Sequence, residues 1–270
     1  MAPTVLITGA SQGTGKATAL LWARKGYNVV LAARNGDRLG TVAREIRDIG
    51  VSALAIPTDV GDAEQVKALI NKALAFYDRI DVLVNNAGIC LTGTMAQTSL
   101  EDWQQIMNTN FWSYVYTIRE VLPHFLENQA GSIVNVGSFG GKMPLPNMTA
   151  YCASKYAVTG LTQTLKLELA PQGIHVCAVH PGVINSDFME RALFRGSDET
   201  ESESRRQQMQ AMLQQSWVSQ PEDIAQTIWD AVQFKQSEKV VGSISLATEA
   251  YRLFPGLTQW LMEQALIANR

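Results

Sequence analysis

Charged side chains are scarce in this chain: Asp, Glu, Lys and Arg make up only 17% of its 270 residues. A disordered or nucleic-acid-binding chain carries more charge than that. The formal net charge of −3 supplies no basic field to recruit polyanions. Cysteine is nearly absent. Cys90, Cys152 and Cys177 form an odd count at no metal-ligand spacing, so they read as reduced, small apolar residues of a cytoplasmic protein. The histidines His124, His175 and His180 do not cluster in the sequence, and no metal site is expected. No apolar run reaches the ~18–20 residues of a membrane span. Met1-Ala2-Pro3-Thr4 lacks the basic start and cleavage site of a signal peptide. Internal repeats, low-complexity linkers and a composition break are missing too, so one domain over 1–270 is expected.

What is present is an apolar fraction of 46%, enough for a full core. Pro3 to Thr8 is a short β-branched run, the pattern of a buried parallel strand. Thr8-Gly9-Ala10-Ser11-Gln12-Gly13-Thr14-Gly15 follows, and then a helical stretch to about Lys25. Strand, glycine-rich turn and helix together form a phosphate cradle. The glycines let backbone N–H groups approach phosphate oxygens, and the helix N-terminus adds positive potential. The spacing is not that of the common G-x-G-x-x-G turn. A P-loop is excluded, because Ala10 stands where its first glycine belongs and Ala17 where its metal-binding hydroxyl belongs.

Asn28 to Ala33 reads as the second strand. An acid at its end would bond the ribose 2′-hydroxyl of NAD, but Ala32 and Ala33 occupy that place. Arg34 comes next and offers a planar fork to a 2′-phosphate, which favours NADP; a solvated loop charge is the plainer alternative. Arg38 is a second candidate for the same phosphate. Strands are expected over 52–57 and 80–84, with helices over 38–49 and 62–76 before and between them. Asp59 either accepts from an adenine amino group or helps start the following helix. Asn85-Asn86-Ala87-Gly88 either lets a flat ligand lie against the backbone or braces a turn. The alternation implies a right-handed, parallel, doubly wound sheet with its ligand across the carboxyl ends of the strands.

Two helical stretches within 100–128 break near Met107-Asn108-Thr109-Asn110, and Asn110 is polar inside an apolar run. A strand over 131–136 ends at Gly137-Ser138. Tyr151 and Lys155 lie four apart on the next helix, hence on one face. There an ammonium would favour the phenolate and lower the tyrosine pKa. Gly160 inside that helix suggests close packing against a neighbour. Ile174 to Val179 is the sixth strand, followed by the turn Pro181-Gly182. From about 187 to 217 the composition turns polar between Phe188, Leu193, Phe194 and Met209, Met212, Leu213, which reads as a mobile excursion above the sheet and a substrate lid. A helix over 221–234 and a last strand over 240–244 follow. In the tail, 251–270, Leu253, Leu257, Trp260 and Leu261 recur at helical spacing, for packing on the core or a partner subunit, with membrane-surface contact as the other reading.

Taken in order, Thr8-Gly9-x-x-x-Gly13-x-Gly15, Asn85-Asn86-Ala87-Gly88, Asn110, Ser138, Tyr151-x-x-x-Lys155 and Pro181-Gly182 resemble the short-chain dehydrogenase/reductase family, over about residues 3–187. The resemblance implies a Rossmann-like α/β fold, a doubly wound parallel sheet of about seven strands flanked by helices on both faces. It implies an oxidoreductase that interconverts a carbonyl and an alcohol. Tyr151 would donate or accept the proton, Lys155 would lower its pKa and hold the nicotinamide ribose, and Ser138 would hydrogen-bond the substrate oxygen. Asn110 would anchor a water linking Lys155 to solvent. Gly9, Ser11, Gln12, Gly13, Thr14, Gly15, Arg34, Asp59, Val60, Asn86, Ala87, Gly88, Pro181, Gly182, Val183, Ile184 and Ser186 would line NADP(H), with Ser186 where the family often has threonine. Gln12 stands where NADP-preferring members often carry a base, so that preference rests on Arg34. The Asp-Gly-Gly that many tetrameric members carry after the last strand is missing. A lipophilic small-molecule substrate and a homodimer or homotetramer are the expected partners. A catalytically inactive NADP-binding regulator on the same fold is the competing reading.

Overall fold

Residue alternation along the strands decides how the chain is layered. In a computed structural model, which describes residues 2–186, 188, 191–215 and 217–268, strand β1 (Thr4–Thr8) sends Val5 and Ile7 into one core and Leu6 into the other. It is followed by α1 (Gly13–Arg24), β2 (Asn28–Ala33), α2 (Gly36–Ile49), β3 (Ala53–Pro57), α3 (Ala63–Tyr77) and β4 (Val82–Asn85). Next come the two-residue β5 (Leu91–Thr92), α4 (Leu100–Met107), α5 (Ser113–Asn128), β6 (Gly131–Val136), α6 (Thr149–Leu169) and β7 (Ile174–Pro181). Past them lie β8 (Leu193–Phe194), α7 (Glu199–Leu213), α8 (Pro221–Gln233), β9 (Glu238–Val241), α9 (Ser245–Leu253) and α10 (Pro255–Ala268).

Seven parallel strands form one sheet in the order β3-β2-β1-β4-β6-β7-β9, and β5 pairs with β8 apart from it. The order reverses between β1 and β4, and a crevice opens there at the carboxyl ends of the strands. Trp22, Leu39, Ile46, Ile224 and Ile228 pack α1, α2 and α8 onto one face of the sheet. Leu69, Tyr114, Phe125 and Val158 pack α3, α5 and α6 onto the other. Local chemistry sets the helix ends. Asn35 caps α2 and Asp62 caps α3, and Gly50 closes α2 at φ +101°, in the left-handed region that suits glycine.

Three expectations are corrected, and the expected break near Met107 is given its geometry. The break near Met107 is a single π-helical turn over Asn108–Trp112, so α4 and α5 run on as one bulged rod. The last strand is Glu238–Val241 rather than 240–244, because the chain turns at Gly242, φ +95°, and Ile244 already precedes α9. Gly160 meets no neighbour: a Cβ added there has nothing within 4 Å. The tail does not pack its apolar residues on the core either. Leu253, Leu257, Trp260 and Leu261 are exposed, and α10 buries no side chain. The polar stretch over 199–213 is the regular helix α7, capped by Asp198. Residues 187, 189, 190 and 216 of the expected lid, and 269–270 of the tail, lie outside the described residues. Among the described residues no helix is long and apolar enough to cross a membrane.

Candidate active site

The turn after β1 is built for close backbone approach. Gly9 has φ +67° and Gly13 φ +51°. A Cβ on Gly15 would sit 2.1 Å from the Gly9 carbonyl oxygen, so only glycine lets α1 start there. Thr8 ties this turn to the end of β4. Its Oγ1 accepts from the backbone N–H groups of Asn86 (2.9 Å) and Ala87 (3.0 Å), while Asn86 Nδ2 donates to the Thr8 carbonyl at 3.0 Å. Asn86 is therefore a brace. Asn85 does the same deeper down, where Asn85, Asn135, Thr117 and Thr162 form one buried polar ladder.

Gly9, Gln12, Gly13, Thr14, Gly15, Asn86, Ala87, Gly88, Ser138, Tyr151, Lys155, Pro181, Gly182, Val183, Ile184 and Ser186 all line one cavity of about 480 Å³. Six expected residues do not. Ser11 is buried beneath the turn. Val60 packs against Val66, Ala87 and Tyr116. Asp59 accepts from Gly61 N at 2.9 Å and so shapes the approach to α3. Arg34 is exposed just beyond β2. Arg38, on the first turn of α2, donates to Gln12 and brings a guanidinium to the rim of the glycine turn. Asn110 lies behind the cavity wall. Its Oδ1 accepts from Ile89 N at 2.8 Å, and its Nδ2 donates to Ile89 O (3.0 Å) and Ser154 Oγ (3.1 Å), so the side chain is a satisfied core amide.

Tyr151 and Lys155 point into this one cavity from α6, both buried. Ser138 sits at the end of β6 with its Oγ accepting from Gly140 N at 3.1 Å and bonded to the Tyr151 hydroxyl. Lys155 Nζ donates to the Val136 carbonyl at 3.1 Å, an oxygen that also accepts from Tyr114 OH at 2.9 Å. The expected lowering of the Tyr151 pKa is not what the surroundings produce. Burial raises it above the ordinary phenol value, and the Ser138 hydrogen bond opposes only part of that rise. Burial also brings the Lys155 ammonium down to about 8. Both shifts have one cause, the low dielectric of the site.

Residues outside the sequence motifs complete the walls. Cys90, Leu145, Met148, Phe188, Met209, Met212, Leu213 and Trp217 make the end beside Tyr151 apolar, with Arg191 among them. No local pattern marked Leu145 or Cys90; their position follows from what lies next to Tyr151 in space. The cover over this end is fastened to the body. Arg195 donates from Nε and Nη2 to the two Asp102 oxygens at 2.9 and 2.7 Å, and Gln97 Nε2 donates to Glu201 at 2.9 Å. The guanidinium holds the Asp102 carboxyl below the usual carboxylate range.

The cradle fits a dinucleotide: its glycines leave no room for side chains where phosphates would lie, and one cavity joins the turn to the Tyr151 hydroxyl. Comparison with known proteins agrees. A family model described as short chain dehydrogenase matches residues 3–195. The 3-oxoacyl-[acyl-carrier-protein] reductase FabG of Staphylococcus aureus is 36% identical over 229 residues, 84% of this chain and 89% of that protein. A short-chain dehydrogenase/reductase from Burkholderia phymatum, solved in complex with NAD, superposes with a TM-score of 0.87 at 25% identity, covering 95% of each chain. A short-chain dehydrogenase from Sphingobium yanoikuyae in complex with NADPH gives 0.78 at 31% identity, covering 97% of this chain and 95% of the other.

Proposed function

The chain belongs to the short-chain dehydrogenase family, whose members act on CH–OH and C=O groups, and from that premise we propose that it is an NADPH-dependent reductase of a lipophilic carbonyl compound. The observation that carries this reading is the single cavity shared by the glycine turn, Ser138, Tyr151 and Lys155. Gly9, Gly13, Gly15 and Thr14 would hold the pyrophosphate, and Gly88 and Pro181 to Ile184 the nicotinamide end. NADPH supplies the hydride when bound. Ser138 Oγ holds the substrate oxygen, and Tyr151 OH, which burial keeps protonated, gives that oxygen a proton. Lys155, while charged, stabilises the phenolate left behind and holds the ribose. The Asn110 side chain is already fully engaged, so any water it anchors is held by its main chain, where the π-helical turn disrupts the regular helical hydrogen bonding.

The preference for NADPH rests on the missing acid at the end of β2, on Arg34 just beyond it, and on Arg38 fastened beside Gln12. Lipophilic substrates suit the methionines, Phe188 and Trp217 around Tyr151. A 3-oxoacyl thioester is one member of that class, as the name of the Staphylococcus aureus relative illustrates. The intact Ser138, Tyr151 and Lys155 set argues against a purely regulatory binder. Three buried free thiols suit the reducing cytoplasm, and the exposed apolar residues of α10 suit a homodimer or homotetramer.

The test follows NADPH oxidation against 3-oxoacyl thioesters, steroids, retinoids and aryl ketones, with NADH in parallel. Turnover of a lipophilic carbonyl with NADPH favoured is expected. A protein that turns over none of them fails as a reductase, and a preference for NADH removes the role given to Arg34.

A further inference from the structure

His180 is fully buried in β7, one residue before the Pro181-Gly182 turn, and the mechanism above makes no use of it. Its Nδ1 lies 3.2 Å from the carbonyl oxygen of Ser138. On the other side its Nε2 lies 2.8 Å from Glu238 Oε1, on the edge strand β9. That carboxylate oxygen also accepts from Lys142 Nζ at 2.7 Å. A carbonyl oxygen and an ionised carboxylate only accept. Nδ1 must therefore carry a proton to bond Ser138. The Nε2 contact is close but poorly aligned, so it seats the ring against Glu238 without a linear hydrogen bond. Glu238 is a firm counter-charge. The His180 contact, reinforced by Lys142, holds its carboxyl down at about 2.

What the ring supports is the peptide that carries Ser138. The Ser138 carbonyl accepts from Gly141 N at 2.9 Å as well as facing His180, so it has a donor on each side. The ring also packs flat against the chain before it: a Cβ on Gly137 would come within 2.4 Å of Nδ1. Glycine at 137 and histidine at 180 therefore form one fitted unit under the hydroxyl that meets the substrate.

We propose that His180 is a positioning residue for this site: seated between Glu238 and the Ser138 carbonyl, its ring fixes the Ser138 main chain, and with it the direction of the Ser138 hydroxyl. The inference rests on the reductase reading above. It acts on the chemical step, since nothing in this chain of contacts touches the glycine turn.

The experiment compares the full-length protein with His180→Leu and with His180→Asn, whose side-chain amide keeps an N–H near the place of Nδ1. For the best carbonyl substrate, kcat of His180→Leu should fall about tenfold or more, as displacement of a reacting group by a fraction of an ångström does. Its dinucleotide Kd, read by nucleotide fluorescence, should stay within about twofold, and His180→Asn should recover kcat to within about threefold of the parent. Equal losses in both variants, or an unchanged kcat in His180→Leu, overturn the proposal. A parent protein with no carbonyl turnover sinks the reductase reading instead, and nitrogen NMR of histidine-labelled protein then decides this one. Nδ1 of His180 should show a bonded proton; a bare Nδ1 overturns the proposal, whether or not the variants fold.

Discussion

At the scale of single residues, burial has more influence on the site's acid–base behaviour than any one neighbour. Tyr151 and Lys155 sit in the same low-dielectric cavity, which penalises phenolate and ammonium alike. The phenol therefore stays protonated across neutral pH, the form that reduction needs, and Lys155 is the group that titrates first. Its value near 8 is below that of an ordinary lysine, so the ammonium is complete below that pH and is lost above it. The pH profile of kcat/KM for carbonyl reduction is expected to fall as pH rises through about 8; a profile flat well into the alkaline range would assign no role to the ammonium. Tyr151→Phe removes the proton donor and should lower kcat by at least ~10²-fold while the dinucleotide still binds. A small change in turnover would remove the phenol from the chemistry.

At the scale of elements, α6 both carries the reacting pair and contains a dispensable glycine. Gly160 is helical, exposed and without neighbours, so it costs backbone entropy and adds no packing. Gly160→Ala is expected to stabilise the protein by ~0.5–1 kcal/mol, a rise in Tm of about 1–4 °C by calorimetry. A loss of stability would mean that something covers this turn. The clamp between α4 and the chain after β8 works on a different quantity. Asp102 is buried and held by two charge-assisted bonds from Arg195, and α7 follows directly with Met209, Met212 and Leu213 over the cavity. Arg195→Leu should loosen that cover and raise KM for a lipophilic substrate about tenfold, ~1.4 kcal/mol, with dinucleotide Kd unchanged. Steady-state kinetics with both ligands varied separates the two constants.

At the scale of the whole molecule, stability and apolar surface are unevenly shared. The two cores lie on the two faces of the seven-stranded sheet, and α10 belongs to neither. Trp260 and Leu261 are about half exposed, at 54% and 52%, so they contribute little to folding of the chain that carries them. In urea titrations of protein diluted until subunits separate, Trp260→Gln is expected to change the unfolding free energy by no more than ~0.5 kcal/mol. A larger loss at that dilution would show that α10 packs on its own chain.

The apolar strand runs, the glycines at 9, 13 and 15, and the four-residue step from Tyr151 to Lys155 were legible without any structure, because each is a matter of local chain chemistry: a short β-branched run, a missing Cβ, a helical turn. From them the sheet, the crevice and most of the cavity lining follow. Other features depend on segments far apart in the chain. Glu238 stands beside His180 only because β9 pairs with β7, and Arg195 meets Asp102 across 93 residues. The open space around Gly160, the exposure of α10 and the upward shift of the Tyr151 phenol were likewise settled by tertiary structure. Burial is a property of what the rest of the chain places around a residue, and it sets both packing and charge.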